Sequence, residues 1–239
     1  MKAEERHSIS ANGGIVLHAP RFYDFLAWVV MLGREGAFRE KVIDLTRLKP
    51  GESVLDVGCG TGTLAIAAKR GVGPTGKVFG IDASPEMVER AGRKARKAGV
   101  DIVFKNESID ELSFPDAQFD VVLSTLMLHH LPRKLREHCS REMCRVLKPG
   151  GRVLVGDFGG LGQQKGRLAR FHHRHGHVKP AEVIALLNAA GPNVFESGAV
   201  GIKELHLALA TSPCCKPCFG TLSLPPVTKA TAASTTRRR

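Results

Sequence analysis

From Ser53 to Phe158 the chain alternates short apolar runs with amphipathic stretches, and each change of pattern is marked by glycine or proline. Ser53-Val54-Leu55-Asp56-Val57 follows the turn Lys49-Pro50-Gly51 and predicts a buried strand. It leaves through Gly58-Cys59-Gly60-Thr61-Gly62 into a helical run, Thr63 to Lys69. Further strands are predicted at Lys77 to Ile81, closed by Asp82, and at Ile102 to Phe104, Phe119 to Ser124 and Arg152 to Phe158. A helix should start at Ser84-Pro85-Glu86, where serine caps, proline occupies the first turn and glutamate suits the positive end, and should stop at Gly99. Leu135 to Leu147 reads as a helix broken by Lys148-Pro149-Gly150-Gly151. Pro180 to Ala190 follows as a helix, with Val194 to Val200 and Leu205 to Ala210 as closing strands. The expected fold is α/β: a doubly wound, Rossmann-like, mostly parallel seven-stranded sheet with helices on both faces.

The flanks differ from this core. Pro20 to Leu48 predicts one or two helices able to cover a site, so 1–48 is read as an N-terminal helical lid and 49–211 as the main domain. Residues 212–239, rich in Pro, Thr, Ala and Arg, offer little to bury and read as a disordered basic tail. The 239 residues carry a net charge of +12, but its distribution changes its meaning. Lys165 to Lys179 and Ser212 to Arg239 hold five cations each and no acid, so the rest of the chain is only +2. Aromatic residues make up 5%, too few for the stacking platforms of single-strand binders, and nucleic acid becomes the second reading. Six scattered cysteines lack the spacing of a disulfide scaffold and fit a reducing, cytoplasmic setting. The apolar run Phe25 to Leu32 is too short for a membrane span, which leaves peripheral contact as the only membrane role.

Candidate chemistry concentrates where the first strand becomes a helix. Glycines there let backbone approach a ligand, and the helix start offers unpaired N–H groups. Asp82, at the end of the second strand, is placed for two hydrogen bonds to adjacent ribose hydroxyls. A dinucleotide fingerprint needs glycine at the sixth loop position, which is Thr63, so a nicotinamide-dependent oxidoreductase is disfavoured.

Together, Leu55 to Gly62, Gly80-Ile81-Asp82-Ala83-Ser84, Phe114-Pro115-Asp116 with Phe119-Asp120, and Leu147 to Gly151 resemble the class I S-adenosylmethionine-dependent methyltransferases. Within these the chain is most similar to the ubiquinone and menaquinone biosynthesis C-methyltransferase group, over roughly residues 20–158. The resemblance implies S-adenosyl-L-methionine as cofactor. Gly58, Gly60, Thr61 and Gly62 would hold its methionine end, Asp56 would sit near its amino group, and Asp82 with Ala83 would meet the ribose. The adenine pair falls on Ser108-Ile109, where relatives often carry Asp or Asn, with Glu107 as rival; Thr125, beside Ser124, would line the cofactor.

Methyl transfer needs alignment in a dry cavity more than elaborate functional groups, so at most a base is expected. His129 and His130 follow the fourth strand at the edge where open α/β folds bind ligands, and are the catalytic candidates. The four histidines of Phe171 to His177 lack the mixed ligands of a metal site and read as a solvated basic loop. Cys214, Cys215 and Cys218 lack a fourth partner and read as free thiols. The expected partner is a small, apolar methyl acceptor; the alternatives are an RNA-modifying methyltransferase, the oxidoreductase, and a cofactor-binding protein without catalysis.

Overall fold

A computed structural model describes residues 7–9, 15–17, 35–109, 111–159, 178–199 and 205–213. Its described elements are β1 (His7–Ile9), β2 (Ile15–Leu17), α1 (Glu35–Thr46), β3 (Ser53–Val57), α2 (Thr63–Val72), β4 (Lys77–Asp82), α3 (Pro85–Lys97), β5 (Val103–Asn106) and β6 (Phe119–Thr125). After a single 3₁₀ turn, Leu128–His130, come α4 (Arg133–Arg145), β7 (Leu147–Phe158), α5 (Pro180–Ala190), β8 (Asn193–Ala199) and β9 (Leu205–Thr211).

The local signals operate as their chemistry demands. Ser84 caps α3, its Oγ accepting the Met87 N–H at 3.2 Å, with Glu86 in the first turn and Lys94, Arg96 and Lys97 in the last. Gly62 caps α2 at φ 74°, a left-handed conformation open to glycine at little cost.

Seven strands form one mostly parallel sheet, as the alternating pattern predicts, and their order is β5-β4-β3-β6-β7-β9-β8. β3 to β7 are mutually parallel, while β9 runs antiparallel to both β7 and β8. Chain order moves outward from β3 in both directions, so the switch point lies between β3 and β6. One face buries Leu55, Val57, Ile81, Val122, Val153 and Val155 with Met143 of α4 and Leu187 of α5. The other buries Val54, Val78, Val121, Leu123 and Leu154 against Phe38 and Val42 of α1 and Leu64, Ala65 and Ala68 of α2. This two-sided burial explains the near-continuous apolar runs.

Two features differ from the sequence expectations, and one expectation is met over the part of its span that is described. β7 begins at Leu147, with Phe119 opposite Leu147 and Val121 opposite Arg152, so the Lys148-Pro149-Gly150-Gly151 segment is an irregularity inside a strand. Pairing to β6 extends the strand across residues whose local preference is a turn. Of the one or two helices expected across Pro20 to Leu48, one is described, from Glu35 to Thr46, and residues 18–34 lie outside the described residues. The antiparallel pair β1 and β2, three residues per strand, is too short for a periodicity signal. The histidine-rich segment, most of the 165–179 basic stretch, and the tail from residue 214 with its three cysteines also lie outside the described residues.

Candidate functional site

Parallel strands bring their carboxyl ends to one edge, and the register aligns them: Asp56 lies opposite Gly80 and Leu123, Asp82 opposite Asn106, and Thr125 opposite Gly156. All the sequence-predicted site residues stand on or just beyond this edge.

The glycine loop is held from several sides. Gly58, Gly60 and Gly62 all have positive φ, at 72°, 52° and 74°. Gly58 is packed so closely that a Cβ there would fall 2.4 Å from Met127 Cγ. One at Gly62 would fall 2.7 Å from Ala91 Cβ. Gly60 donates its N–H to Asp82 Oδ2 at 2.9 Å, and Ser84 donates to Oδ1 at 2.9 Å. Each carboxylate oxygen of Asp82 thus accepts one backbone bond and keeps a further lone pair for a ribose hydroxyl. The buried Thr61 accepts from Lys94 Nζ at 2.9 Å, and the same ammonium also donates to Thr63.

Asp56 is the electrostatic centre of the loop. It is 1% exposed, and its Oδ2 has no hydrogen-bond partner. Burial, the nearby Asp82 charge and only one opposing backbone bond, from Ala65, push its carboxyl up to about 7. Asp82 is raised as well, chiefly by burial. Cys59 lies buried between these acids, and its thiol is pushed well up, which keeps it protonated and unreactive.

Beyond β5, Asp82 anchors the next segment through its carbonyl, which accepts from Asn106 Nδ2 at 2.9 Å and from Glu107 N at 3.1 Å. The adenine-pair candidates follow directly, with Ser108 exposed and Ile109 buried. The rival Glu107 turns to Ser113 instead, accepting from its N–H and its Oγ. In the Phe114-Pro115-Asp116 motif, Phe114 meets Phe79 and Phe119 edge-on at 5.6 and 5.1 Å, and Asp116 pairs with Arg145 at 2.7 Å. Those residues hold the loop behind the site.

On the other side of the switch point, β6 ends at Thr125, and Leu126 takes a strained φ of 56°. That turn presses Met127 onto Gly58 and starts the 3₁₀ turn bearing both histidines. Their rings lie 4.0 Å apart, centre to centre. His129 Nδ1 contacts Asp157 Oδ1 at 2.6 Å, and the His129 N–H donates to Oδ2 at 3.0 Å. Beneath, the buried Arg136 Nε donates to the carbonyls of Leu128 and Leu131, and its Nη1 pairs with Glu182 of α5 at 3.0 Å. Asp157, Lys94 and Arg136 escaped the sequence reading. Each acts through a partner at least five residues away in the chain, and no local motif marks it.

A doubly wound sheet whose switch point carries a glycine loop, a carboxylate with lone pairs to spare and a second, buried carboxylate with an unpartnered oxygen has the features of a nucleoside-binding domain. Comparisons with known proteins agree. Residues 54–151 match the protein-family description "Methyltransferase domain". The chain is 42% identical over 121 residues to a 27-O-demethylrifamycin SV methyltransferase of Amycolatopsis mediterranei, covering 50% of this chain and 43% of that protein. It is 37% identical over 131 residues to a ubiquinone/menaquinone biosynthesis C-methyltransferase of Bdellovibrio bacteriovorus, covering 55% and 54%. The chain spans about half the length of these curated relatives. A solved SAM-dependent methyltransferase from Aquifex aeolicus superimposes with TM-score 0.60 at 30% identity, covering 72% of this chain and 88% of that one. The chain belongs to the class I S-adenosylmethionine-dependent methyltransferases.

The residues present fit that family's cofactor. The orphaned Oδ2 of Asp56 suits the donor's ammonium, and Asp82 suits its ribose. Among the described residues, no His, Cys, Asp or Glu cluster could hold a metal, and no helix is long and apolar enough to cross a membrane.

Proposed function

We propose that this chain transfers a methyl group from S-adenosylmethionine to a small, apolar acceptor. The observation that carries the reading is the buried Asp56 oxygen without a partner, set beside Asp82 at the switch point. Leaving such a group unpaired costs roughly 1–3 kcal/mol or more, a cost a ligand cation removes. When bound, the donor supplies an electrophilic methyl on a sulfonium. Asp56 would bind its ammonium, Asp82 and Ala83 its ribose, Ser108 and Ile109 its adenine, while Gly58, Gly60, Thr61, Gly62 and Thr125 shape the cavity. His129 and His130, in the turn after β6, would take the acceptor's proton. Relatives named for rifamycin and quinone substrates support a small acceptor.

The donor-binding unit is assigned to 49–211, with 1–48 as cover and 212–239 as an appended segment. The cysteine spacing supports a cytoplasmic setting. Titration calorimetry should show S-adenosylhomocysteine binding and no NAD binding. The reverse pattern would overturn the proposal in favour of the oxidoreductase. Steeply salt-dependent RNA binding would favour the RNA-modifying reading.

A further inference from the structure

We infer that Arg136 is a positioning residue for the donor: from α4 it fixes the turn after β6, and through Met127 that turn fixes the glycine loop. This rests on the donor-binding reading above. The place is an expensive one for a guanidinium. Arg136 is 7% exposed and stands in the first turn of α4, where the helix dipole opposes a cation and no acid of that turn offsets it. Its bonds serve the segment before the helix. Nε donates to the carbonyls of Leu128 and Leu131 at 3.0 and 2.9 Å, spanning the 3₁₀ turn, while Nη1 pairs with Glu182 of α5 at 3.0 Å.

The turn needs that support because it starts under strain. Leu126 has φ 56°, a conformation that a leucine keeps only where its surroundings enforce it. The sheet holds the near side, through the Leu126 N–H on the Gly156 carbonyl at 2.7 Å. Arg136 holds the far side. Between the two, the buried Met127 lies across Gly58, so closely that a Cβ there would fall 2.4 Å from its Cγ and 2.9 Å from its Cβ.

Gly58 opens the donor loop, itself at φ 72°, and the next two residues tie that loop to β4. Cys59 donates its N–H to the Ile81 carbonyl at 2.8 Å, and Gly60 donates to Asp82 Oδ2 at 2.9 Å. Releasing Arg136 lets Leu126 relax and Met127 withdraw, which loosens the backbone between Asp56 and the Asp82 bond. Donor affinity is therefore set partly from α4 and α5, by a residue that does not touch the donor.

The test is calorimetry of S-adenosylhomocysteine binding to the full chain, at a temperature where circular dichroism shows each variant folded. Glu182→Gln keeps the shape at α5 but removes the charge that seats Arg136, and Arg136→Lys keeps the charge but loses the fork. Each should weaken binding roughly 3- to 30-fold. Leu209→Val trims a side chain buried on the opposite face of the sheet; it lowers stability and should leave affinity within about twofold of wild type. Met127→Ala removes the link, so it should weaken binding by itself, and adding Glu182→Gln to it should cost less than about twofold more. Wild-type affinity in folded Glu182→Gln overturns the assignment. So does an equal loss in Leu209→Val, which marks general destabilisation, and so do losses that multiply in the double variant. Should Arg136→Lys fail to fold, amide exchange in Glu182→Gln decides: faster exchange at Cys59 and Gly60 supports the positioning role, and unchanged exchange overturns it. A wild type that fails to bind S-adenosylhomocysteine overturns the donor reading itself.

Discussion

Replacing Asp56 by Asn tests whether this buried acid exists to receive a cation. Raising the carboxyl from its ordinary 3.8 to about 7 penalises the charged form by about 4 kcal/mol in the ligand-free protein. The native state therefore binds more protons than the unfolded chain between those two values. The stabilisation is fully present below 3.8 and is lost as pH rises to about 7. Asp82, raised in the same direction, steepens the loss. Asp56→Asn cannot ionise, so above neutrality the free variant should melt higher than wild type. The gain has an upper limit of about 4 kcal/mol, because the amide is itself imperfectly paired at the orphan position.

Donor binding should move the opposite way. An ammonium beside Oδ2 favours the ionised carboxylate, so below about 7 binding must expel the Asp56 proton, and affinity should fall about tenfold per pH unit. Calorimetry with S-adenosylhomocysteine in buffers of different ionisation enthalpy reads both the affinity and the proton released. Asp56→Asn should bind roughly ten- to a hundredfold more weakly at pH 8, with a flat profile and no buffer dependence. A wild type whose affinity is constant from about pH 6 to pH 8 with no proton release would refute the reasoning.

Other substitutions probe the neighbouring parts. Asp82→Ala removes the acceptor of the Gly60 and Ser84 N–H groups as well as the ribose partner, and calorimetry should show S-adenosylhomocysteine affinity reduced by at least tenfold, about 1.4 kcal/mol. Gly58→Ala must place a methyl 2.4 Å from Met127 Cγ at a φ of 72°; destabilisation of about 1–3 kcal/mol in urea titration is expected, with weaker donor binding. Glu182→Gln leaves the buried Arg136 guanidinium without its counter-charge; thermal melts should show about 1–3 kcal/mol lost, discounted because Glu182 is 25% exposed.

The succession of elements from Ser53 to Ala190 was legible from the chain because each depends on neighbours within a few residues. Ser84-Pro85-Glu86 starts α3 wherever it lies, and an apolar run bounded by glycine and proline forms a strand buried on both faces. Asp56 and Asp82 were legible for the same reason, since a residue at or next to a strand's end reaches the carboxyl edge whatever surrounds it. The tertiary structure alone decided what those residues meet. Sheet pairing, not local preference, carried β7 back across Pro149 to Leu147. Only packing left Asp56 Oδ2 unpartnered while giving both Asp82 oxygens a backbone bond. His129 meets Asp157, 28 residues further along, and Arg136, which supports the turn, meets Glu182, 46 residues away. Such contacts are set by strand order and helix packing, so no window of sequence contains both partners, and the same carboxylate could equally have faced water.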